Sequence, residues 1–162
     1  MKTTISASQF GVTAGSRTDC TPGVRSALEQ AIASKSKRLA LEPGEYHFWP
    51  DFAFEKYLFV SNNDEGLHRI AFPVIDASDL TIDGQGARLI FHGQITPFVL
   101  RGCRNVTLCH VEIDWEHAFH GEARIVDAGN GYVDLAISND FPYRVDHERL
   151  NFLDEDGQSF RA

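Results

Sequence analysis

The sequence has few of the features that would tie a chain together covalently or carry it into a membrane. Only three cysteines occur in 162 residues, Cys20, Cys103 and Cys109, and none lies in a CxxC pair. An odd number at these spacings predicts buried free thiols rather than a disulfide framework or a zinc site. No apolar run approaches the ~20 residues of a membrane helix, so we expect no membrane partner. Met1–Ser6 also lacks the apolar stretch of a signal peptide, and the sequence leaves the compartment open.

Positive charge is scarce as well. The chain has 15 lysine and arginine residues against 23 aspartate and glutamate residues, which gives a net charge of -8. Nucleic-acid binding depends on lysine and arginine at phosphates, so no nucleic-acid partner is expected. An uncharged ligand such as a sugar is compatible with this charge. With 43% hydrophobic and 23% charged residues, the chain has the composition of a globular domain with its own core.

The first regular element predicted is a helix from about residue 22 to 34. Thr21 is a good N-cap and Pro22 suits the first helical position. An apolar stripe with helical spacing follows, made of Val24, Ala27, Leu28, Ala31 and Ile32. The run Arg38–Phe48 then predicts a strand, a Pro-Gly turn and a second strand. One helix before short strands is typical of the cap that closes the end of a β-solenoid.

A segment in the middle of the chain repeats its own pattern. Val74–Asp83 can be laid on Val99–Leu108, with an offset that begins at 25 residues and becomes 26 at Leu80 and Val106. A period in the twenties is a solenoid signature, although an ordinary sheet sandwich is the alternative. Stacked coils would share an interior column of apolar side chains, namely Leu80, Ile82, Val106 and Leu108. The fold predicted is mainly β: a right-handed parallel β-helix, a single-stranded solenoid with an N-terminal capping helix.

The pattern changes near residue 118. Glu122–Asp127 and Tyr132–Ile137 flank Gly129-Asn130-Gly131, which predicts a β-hairpin because Asn-Gly is a favoured hairpin turn. A second strand pair is predicted at Phe141–Tyr143 and Leu150–Leu153. We therefore predict two regions. Residues 1-117 form the cap and the first coils of a parallel β-helix, and residues 118-162 form the start of an inserted antiparallel β-barrel, incomplete.

Three segments carry a family resemblance: Leu41–Asp64, Ile75–Leu100 and Asn105–Val126. Their most specific pieces are Tyr-x-Phe-Trp-Pro at 46–50, Ser61-Asn62-Asn63-Asp64, Phe91-His92-Gly93 and Ile113-Asp114-Trp115. Across about Thr21 to Phe152 the chain resembles the N-terminal portion of glycoside hydrolase family 110. The resemblance implies a right-handed parallel β-helix with inserted β-barrels and an exo-acting α-1,3-galactosidase activity. It also implies that full-length relatives are extracellular or periplasmic.

The function expected from the resemblance is that of an N-terminal fragment of a glycoside hydrolase. The full-length enzyme would act on a glycan with terminal α-linked galactose by inverting hydrolysis, without a cofactor. Family members are several hundred residues long, so the catalytic residues are expected C-terminal to Ala162 and this chain alone is expected to be inactive. The alternative is a non-catalytic β-helix that serves as a carbohydrate-binding or structural module. The sequence does not indicate an oligomeric state.

Candidate ligand contacts lie on the strand predicted at residues 110–116. Its polar residues alternate with apolar ones and would share one face: His110, Glu112, Asp114 and Glu116. Residues two apart on a strand are ~6.6 Å apart, which falls within the ~6.5–9.5 Å that separates the carboxyl groups of inverting glycosidases. A solvated acidic face is the simplest interpretation of this run. The alternatives are a supporting role at the sugar cleft and direct catalysis by Glu112 with Asp114 or Asp114 with Glu116.

Aligning Arg88–His92 with His110–Asp114 would place His92 next to Asp114, within hydrogen-bonding distance across neighbouring strands. A structural polar pair and a pair that binds sugar hydroxyls are both open. The candidate substrate-binding residues are therefore His92, Asp114 and Glu116.

No metal site is expected from the sequence. Asp76, Asp79 and Asp83 do not have the spacing of a calcium loop. Gly84-Gln85-Gly86 lacks the third glycine and the following helix of a dinucleotide fingerprint, so it is interpreted as a solenoid turn. A dense group of aromatic residues predicts core packing, with a sugar-stacking surface as the alternative. This group consists of Phe48, Trp49, Phe52, Phe54, Tyr57 and Phe59.

Overall fold

The computed structural model describes residues 4–35, 37–59, 65–117, 121–153 and 157. The chain divides into two compact units, residues 1–116 and 117–162. The described part of the first unit contains helix α1 (Thr21–Ala33), two short 3₁₀ helices (Ala7–Phe10 and Pro50–Phe52) and strands β1 (Ile5–Ser6), β2 (Arg38–Ala40), β3 (Glu45–Phe48), β4 (Phe54–Phe59), β5 (Glu65–Ile75), β6 (Thr81–Phe91), β7 (Thr96–Arg101) and β8 (Thr107–Trp115). The architecture is mainly β, as predicted. The predicted Ser61–Asp64 motif lies outside the described residues.

The larger sheet of the first unit is built around β6. Strand β2 pairs with the beginning of β6, at Leu39 and Ile82, and β3 pairs with its later part, at Tyr46 and Leu89. Strand β8 pairs with β6 along the other edge, and all of these pairs are parallel. Ile82 lies opposite Leu108, so the parallel pairing predicted from the repeat is confirmed.

The smaller sheet has the order β4-β5-β7. Strands β4 and β5 form an antiparallel hairpin, whereas β5 and β7 are parallel, with Val74 opposite Leu100. The sequence alignment that placed Val74 opposite Val99 is therefore wrong by one residue. Either register would pair apolar residues, but the observed one stacks the Phe72 ring on the Phe98 ring, with centroids 4.4 Å apart.

Aromatic and aliphatic side chains stack in register across the parallel strands. Phe48, Phe91 and Trp115 lie opposite one another on β3, β6 and β8. Their ring centroids are 5.1 Å apart for Phe48 and Phe91, and 5.6 Å for Phe91 and Trp115. Leu39, Ile82 and Leu108 form a second column. Both columns belong to one hydrophobic core, so repetition of like residues at paired positions builds the interior of this unit.

Helix α1 buries its predicted apolar stripe in the same core, at Val24, Ala27, Leu28 and Ala31. The helix begins one residue earlier than predicted, and Thr21 is its first residue rather than its N-cap. Asp19 Oδ1 accepts the Thr21 N–H at 2.9 Å, so an aspartate upstream provides the acceptor expected of a cap. The Thr21 hydroxyl donates instead to the Trp49 carbonyl at 3.2 Å. Among the described residues, no helix is both long and apolar enough to cross a membrane.

The described part of the second unit, residues 117, 121–153 and 157, consists of two antiparallel hairpins. Strands β9 (Ala123–Gly129) and β10 (Tyr132–Ile137) are joined at Asn130-Gly131, where Gly131 has a φ of 90° that favours glycine. Strands β11 (Tyr143–Asp146) and β12 (Arg149–Phe152) form the other hairpin. The hairpin predicted around Asn130-Gly131 is confirmed. The second predicted strand pair is also present, but its first strand is Tyr143–Asp146 rather than residues 141–143. Many of their apolar side chains are exposed, including Ile125, Val133 and Val145. Their assignment to an inserted β-barrel stays a prediction.

Candidate functional site

The candidate site lies just beyond the ends of three parallel strands of the first unit. Strand β3 ends at Phe48, β6 at Phe91 and β8 at Trp115. The backbone ladder continues one step further, because His92 N–H donates to the Phe48 carbonyl at 3.0 Å and Glu116 N–H donates to the Phe91 carbonyl at 3.1 Å. Since ends of parallel strands meet at one edge, His92 and Glu116 come to lie side by side.

A row of four side chains crosses this edge. His47 Nε2 lies 3.2 Å from Glu45 Oε1, and His47 Nδ1 lies 2.9 Å from His92 Nε2. On the far side, His92 Nδ1 lies 3.1 Å from Glu116 Oε2. The two imidazoles are hydrogen-bonded to each other, and Glu45 and Glu116 lie within ion-pair distance of the two ends of this pair.

The two imidazoles are held rigidly. His47 is 3% exposed and His92 is 2% exposed. The Trp49 indole stacks on the His92 ring, with centroids 3.9 Å apart and planes inclined by 6°. Together these residues form a wall of one indole and two imidazoles that ends in a carboxylate.

Arg17 connects the N-terminal segment to this wall. One guanidinium nitrogen donates to both oxygens of Glu116, at 2.8 and 2.7 Å. This hydrogen bond is the main reason that the pKa of Glu116 lies below its ordinary value. Glu116 is thus held as a carboxylate, with Arg17 on one side and His92 on the other.

Asp114 lies in a different group of charges. Its Oδ2 accepts from Arg88 at 2.8 Å, and the same guanidinium contacts Glu112 and Glu45, each at 3.1 Å. The hydrogen bond from Arg88 lowers the pKa of Asp114. Glu112 and Asp114, one of the two carboxylate pairs whose spacing suits catalysis, therefore share one arginine on an exposed strand face.

The predicted contact between His92 and Asp114 is wrong. Strands β6 and β8 pair Ile90 with Asp114 and Phe91 with Trp115, which brings Glu116 rather than Asp114 beside His92. The sequence alignment set Arg88 opposite His110, whereas the structure pairs Arg88 with Glu112. The register also changes within this strand pair: between consecutive paired positions, β6 advances from Asp83 to Ala87 while β8 advances only from Cys109 to Val111.

The electrostatics limit what these carboxylates can do. A general acid in glycoside hydrolysis must be protonated at working pH, which requires a raised pKa. The pKa values of Asp114 and Glu116 are both lowered. These groups therefore suit the acceptance of hydrogen bonds from hydroxyls and do not suit proton donation to a leaving group.

His47 and Arg17 were not predicted as site residues, and Trp49 was predicted only as part of the Tyr-x-Phe-Trp-Pro run and of the general aromatic group. His47 could have been noted from its neighbour Trp49 in the Tyr-x-Phe-Trp-Pro run. No sequence pattern pointed to Arg17 as a site residue, because its partner Glu116 lies 99 residues away in the sequence. Of the aromatic group, Phe48 is buried in the core, whereas Phe52, Tyr57 and Phe59 are exposed.

Taken together, the described first unit is a mainly β protein with stacked parallel strands and a polar wall at one edge. No protein-family model matches the chain. Proteins named alpha-1,3-galactosidase do match it across most of its length. Alpha-1,3-galactosidase A of Shewanella woodyi is 36% identical over 154 residues, which are 93% of this chain and 25% of the relative. Alpha-1,3-galactosidase B of Bacteroides thetaiotaomicron is 32% identical over 96% of this chain and 26% of its own length.

A relative from a third organism also matches most of the chain. Alpha-1,3-galactosidase A of Streptomyces avermitilis is 30% identical over 161 residues, or 93% of this chain and 26% of the relative. The chain spans about a quarter of the length of the curated relatives it matches. The chain is therefore similar to a part of each of these galactosidases.

Proposed function

We propose that this chain is the N-terminal part of a glycoside hydrolase of family 110 that removes terminal α-linked galactose by inverting hydrolysis. One observation carries the proposal: relatives named alpha-1,3-galactosidase match 93% and 96% of the chain at 36% and 32% identity. In this proposal the catalytic acids lie on coils beyond residue 162. The lowered pKa values of Asp114 and Glu116 support it, because neither carboxyl group is prepared to act as the acid.

The proposal includes a right-handed parallel β-helix for the first unit of the chain. Its support is the parallel pairing of β2 and β3 with β6, of β6 with β8 and of β5 with β7. Like residues occupy paired positions, as in the column formed by Phe48, Phe91 and Trp115. Further coils would continue the same columns along β8.

Within the proposed enzyme, the wall at the strand ends would contact the sugar. Glu116 can accept hydrogen bonds from hydroxyl groups, and Trp49 offers an aromatic ring beside it. The apolar face of a galactose ring stacks on aromatic side chains, while its hydroxyls need acceptors and donors. His92 would hold Glu116 in place. On the neighbouring exposed strand face, Asp114 would position the Arg88 guanidinium group.

A chimera tests the proposal directly. This chain replaces the matching segment of the Shewanella woodyi relative, and the product is assayed on a chromogenic α-galactoside beside the 162-residue chain alone. We expect turnover from the chimera and none from the chain alone. Proton NMR of the first product should show β-galactose, as inversion requires. Turnover by the isolated chain would contradict the proposed position of the catalytic acids.

A pair of variants in the chimera tests the wall. Glu116→Gln should lower kcat/KM about tenfold or more, because it removes a charged hydrogen-bonding partner. Glu55→Gln is the matched control, since Glu55 makes an exposed ion pair with Arg69 and lies on β4. Equal effects of both changes would exclude a role for the wall. Binding of galactose-terminated glycan by an inactive chimera would instead favour the non-catalytic module.

A further inference from the structure

A second cluster of chemically active side chains lies at the irregularity between β6 and β8. It contains a carboxylate, a thiol and an imidazole, from Asp83, Cys109 and His110. One ligand atom from each lies within 4.8 Å of the other two. The cluster is separate from the wall, because Asp83 and Cys109 pair near the beginning of β6 and β8.

The backbone conformation explains how two consecutive residues reach one carboxylate. Neighbouring side chains on a regular strand point to opposite faces. His110 instead has a φ of 55°, and the register shifts immediately after the pair Asp83–Cys109. His110 Nδ1 therefore lies 2.8 Å from Asp83 Oδ1 while Cys109 remains opposite Asp83. A bulge of this kind re-aims a side chain.

Gly84 allows the two strands to approach this closely. A Cβ atom at position 84 would overlap the Val111 side chain and the His110 carbonyl oxygen. Since every other residue type carries a Cβ, glycine is required for this arrangement.

Asp83 is fixed and charged before any ligand arrives. It is 6% exposed, its Oδ2 pairs with Arg38 at 2.6 Å, and its Oδ1 accepts the Gln85 N–H at 3.0 Å. Because an ionised carboxylate only accepts hydrogen bonds, His110 must present Nδ1–H to it. The group behaves as an anionic ligand held in place by its surroundings.

We infer that Asp83, Cys109 and His110 form a binding site for a zinc-class divalent metal ion. Sulfur, imidazole nitrogen and carboxylate oxygen are the ligands that Zn²⁺ takes in proteins, and three protein ligands leave a fourth position for water. The His110 side chain is 69% exposed, so an ion can enter from solvent.

Protons balance in this step. The thiol of Cys109 loses its proton to solvent, because the thiolate is the ligand. The His110 ring proton moves from Nδ1 to Nε2 through solvent, so that Nδ1 can bind the ion. Arg38 keeps its contact with Asp83 Oδ2, and the ion takes the place that the imidazole proton held near Oδ1.

No sequence motif indicated this site. Cys109 lies 26 residues from Asp83 and has no CxxC partner, and only the parallel register brings the two together. The structure therefore indicates a metal-binding site that was not expected from the sequence.

Cobalt substitution tests the inference on the full 162-residue chain, kept reduced. Titration with Co²⁺ should give one bound ion per chain and a thiolate-to-cobalt charge-transfer band in the near ultraviolet. Zn²⁺ should abolish the band by competition. Cys109→Ser should remove the band and weaken zinc binding at least about tenfold. His110→Gln should also weaken it, and circular dichroism checks that each variant folds.

Cys103→Ser is the matched control. Cys103 is also partly exposed, and its Sγ contacts the Val74 carbonyl oxygen at 3.2 Å, as Cys109 Sγ contacts the Ile82 carbonyl oxygen at 3.8 Å. The control should keep both the band and the zinc affinity. The assignment would be overturned if the unaltered chain showed no charge-transfer band at saturating Co²⁺. It would also be overturned if the band survived Cys109→Ser or disappeared in Cys103→Ser.

Discussion

The two units of the chain use the same kinds of residue in strands, but with opposite results for burial. Ile82 on β6 is 1% exposed, whereas Ile125 on β9 is 64% exposed. In the first unit a helix and two sheets enclose one core. In the second unit, two hairpins leave apolar side chains at the surface of the described residues. Strand pairing therefore does not by itself bury apolar groups, and a facing layer is needed.

The units also differ in what fixes their register. In the second unit β9 and β10 are adjacent in sequence, and the Asn130-Gly131 turn sets their pairing. In the first unit, paired residues are distant, with Leu39 opposite Ile82 and Ile82 opposite Leu108. Stacking of like side chains selects that register, because a slip by one residue would turn each apolar side chain to the other face.

The largest expected difference between the units comes from one substitution made in both. Ile82→Ala should destabilise the first unit by about 2–5 kcal/mol, because it leaves a cavity in the buried column. Ile125→Ala should change stability by no more than about 0.5 kcal/mol, since that side chain is already in water. Urea unfolding followed by circular dichroism measures both.

Ile137→Ala, at the other end of the same hairpin, serves as the second control, because Ile137 is partly buried and should give an intermediate loss. Equal losses at positions 82 and 125 would show that the hairpins have a core of their own and would remove the contrast.

A smaller effect is expected from glycine. Gly84→Ala should cost about 1–3 kcal/mol, because the added Cβ overlaps Val111 and the neighbouring strand must move. Gly131→Ala meets no atom within 4 Å, and it should cost about 1–2 kcal/mol for the left-handed conformation alone. Unfolding midpoints give the stabilities.

The two glycine variants should also differ in one structural readout. Gly84→Ala should shift the NMR signals of His110, which lies against the added atom, whereas Gly131→Ala should leave them unchanged. Unchanged His110 signals in Gly84→Ala would show that β8 does not need glycine at this position.

Repetition made much of the first unit predictable. The echo between Val74–Asp83 and Val99–Leu108 indicated parallel strands, and the observed pairs Ile82–Leu108 and Val74–Leu100 are parallel. The helix stripe and both hairpins followed from local periodicity and turn chemistry. These features are local or repeated, so a single sequence carries them.

The site was less predictable, because it depends on a local break in the repeat. The irregularity after Asp83 changes the register by two residues, and the register that follows it places Glu116 beside His92. A pattern of apolar residues does not reveal how many residues a bulge takes up. Arg17 reaches Glu116 from a segment without repeat or periodicity, and only the folded chain brings them together.

The smallest expected effect on stability concerns the ion pair between Arg17 and Glu116 and its loss at acidic pH. Arg17 lowers the pKa of Glu116 below its ordinary value of 4.5. A depressed pKa in the folded state contributes stability above pH 4.5 that is lost as the pH falls through the folded-state value. Arg17→Gln should therefore reduce stability at neutral pH by about 0.5–1 kcal/mol, since Arg17 is largely exposed. It should also flatten the loss of stability in acid.

Urea midpoints at neutral pH and at several values below 4.5 provide the measurement. Asp127→Asn in the second unit is the control, because Asp127 accepts neutral hydrogen bonds from the Ala128 N–H and the Tyr132 hydroxyl, each at 2.9 Å. The variant Arg17→Gln/Glu116→Gln should match Arg17→Gln well below pH 4.5, because a protonated Glu116 and a glutamine at position 116 are both uncharged. An acid dependence as steep in Arg17→Gln as in the unaltered chain would mean that the wall is held by its histidines, and that Arg17 adds a contact without adding stability.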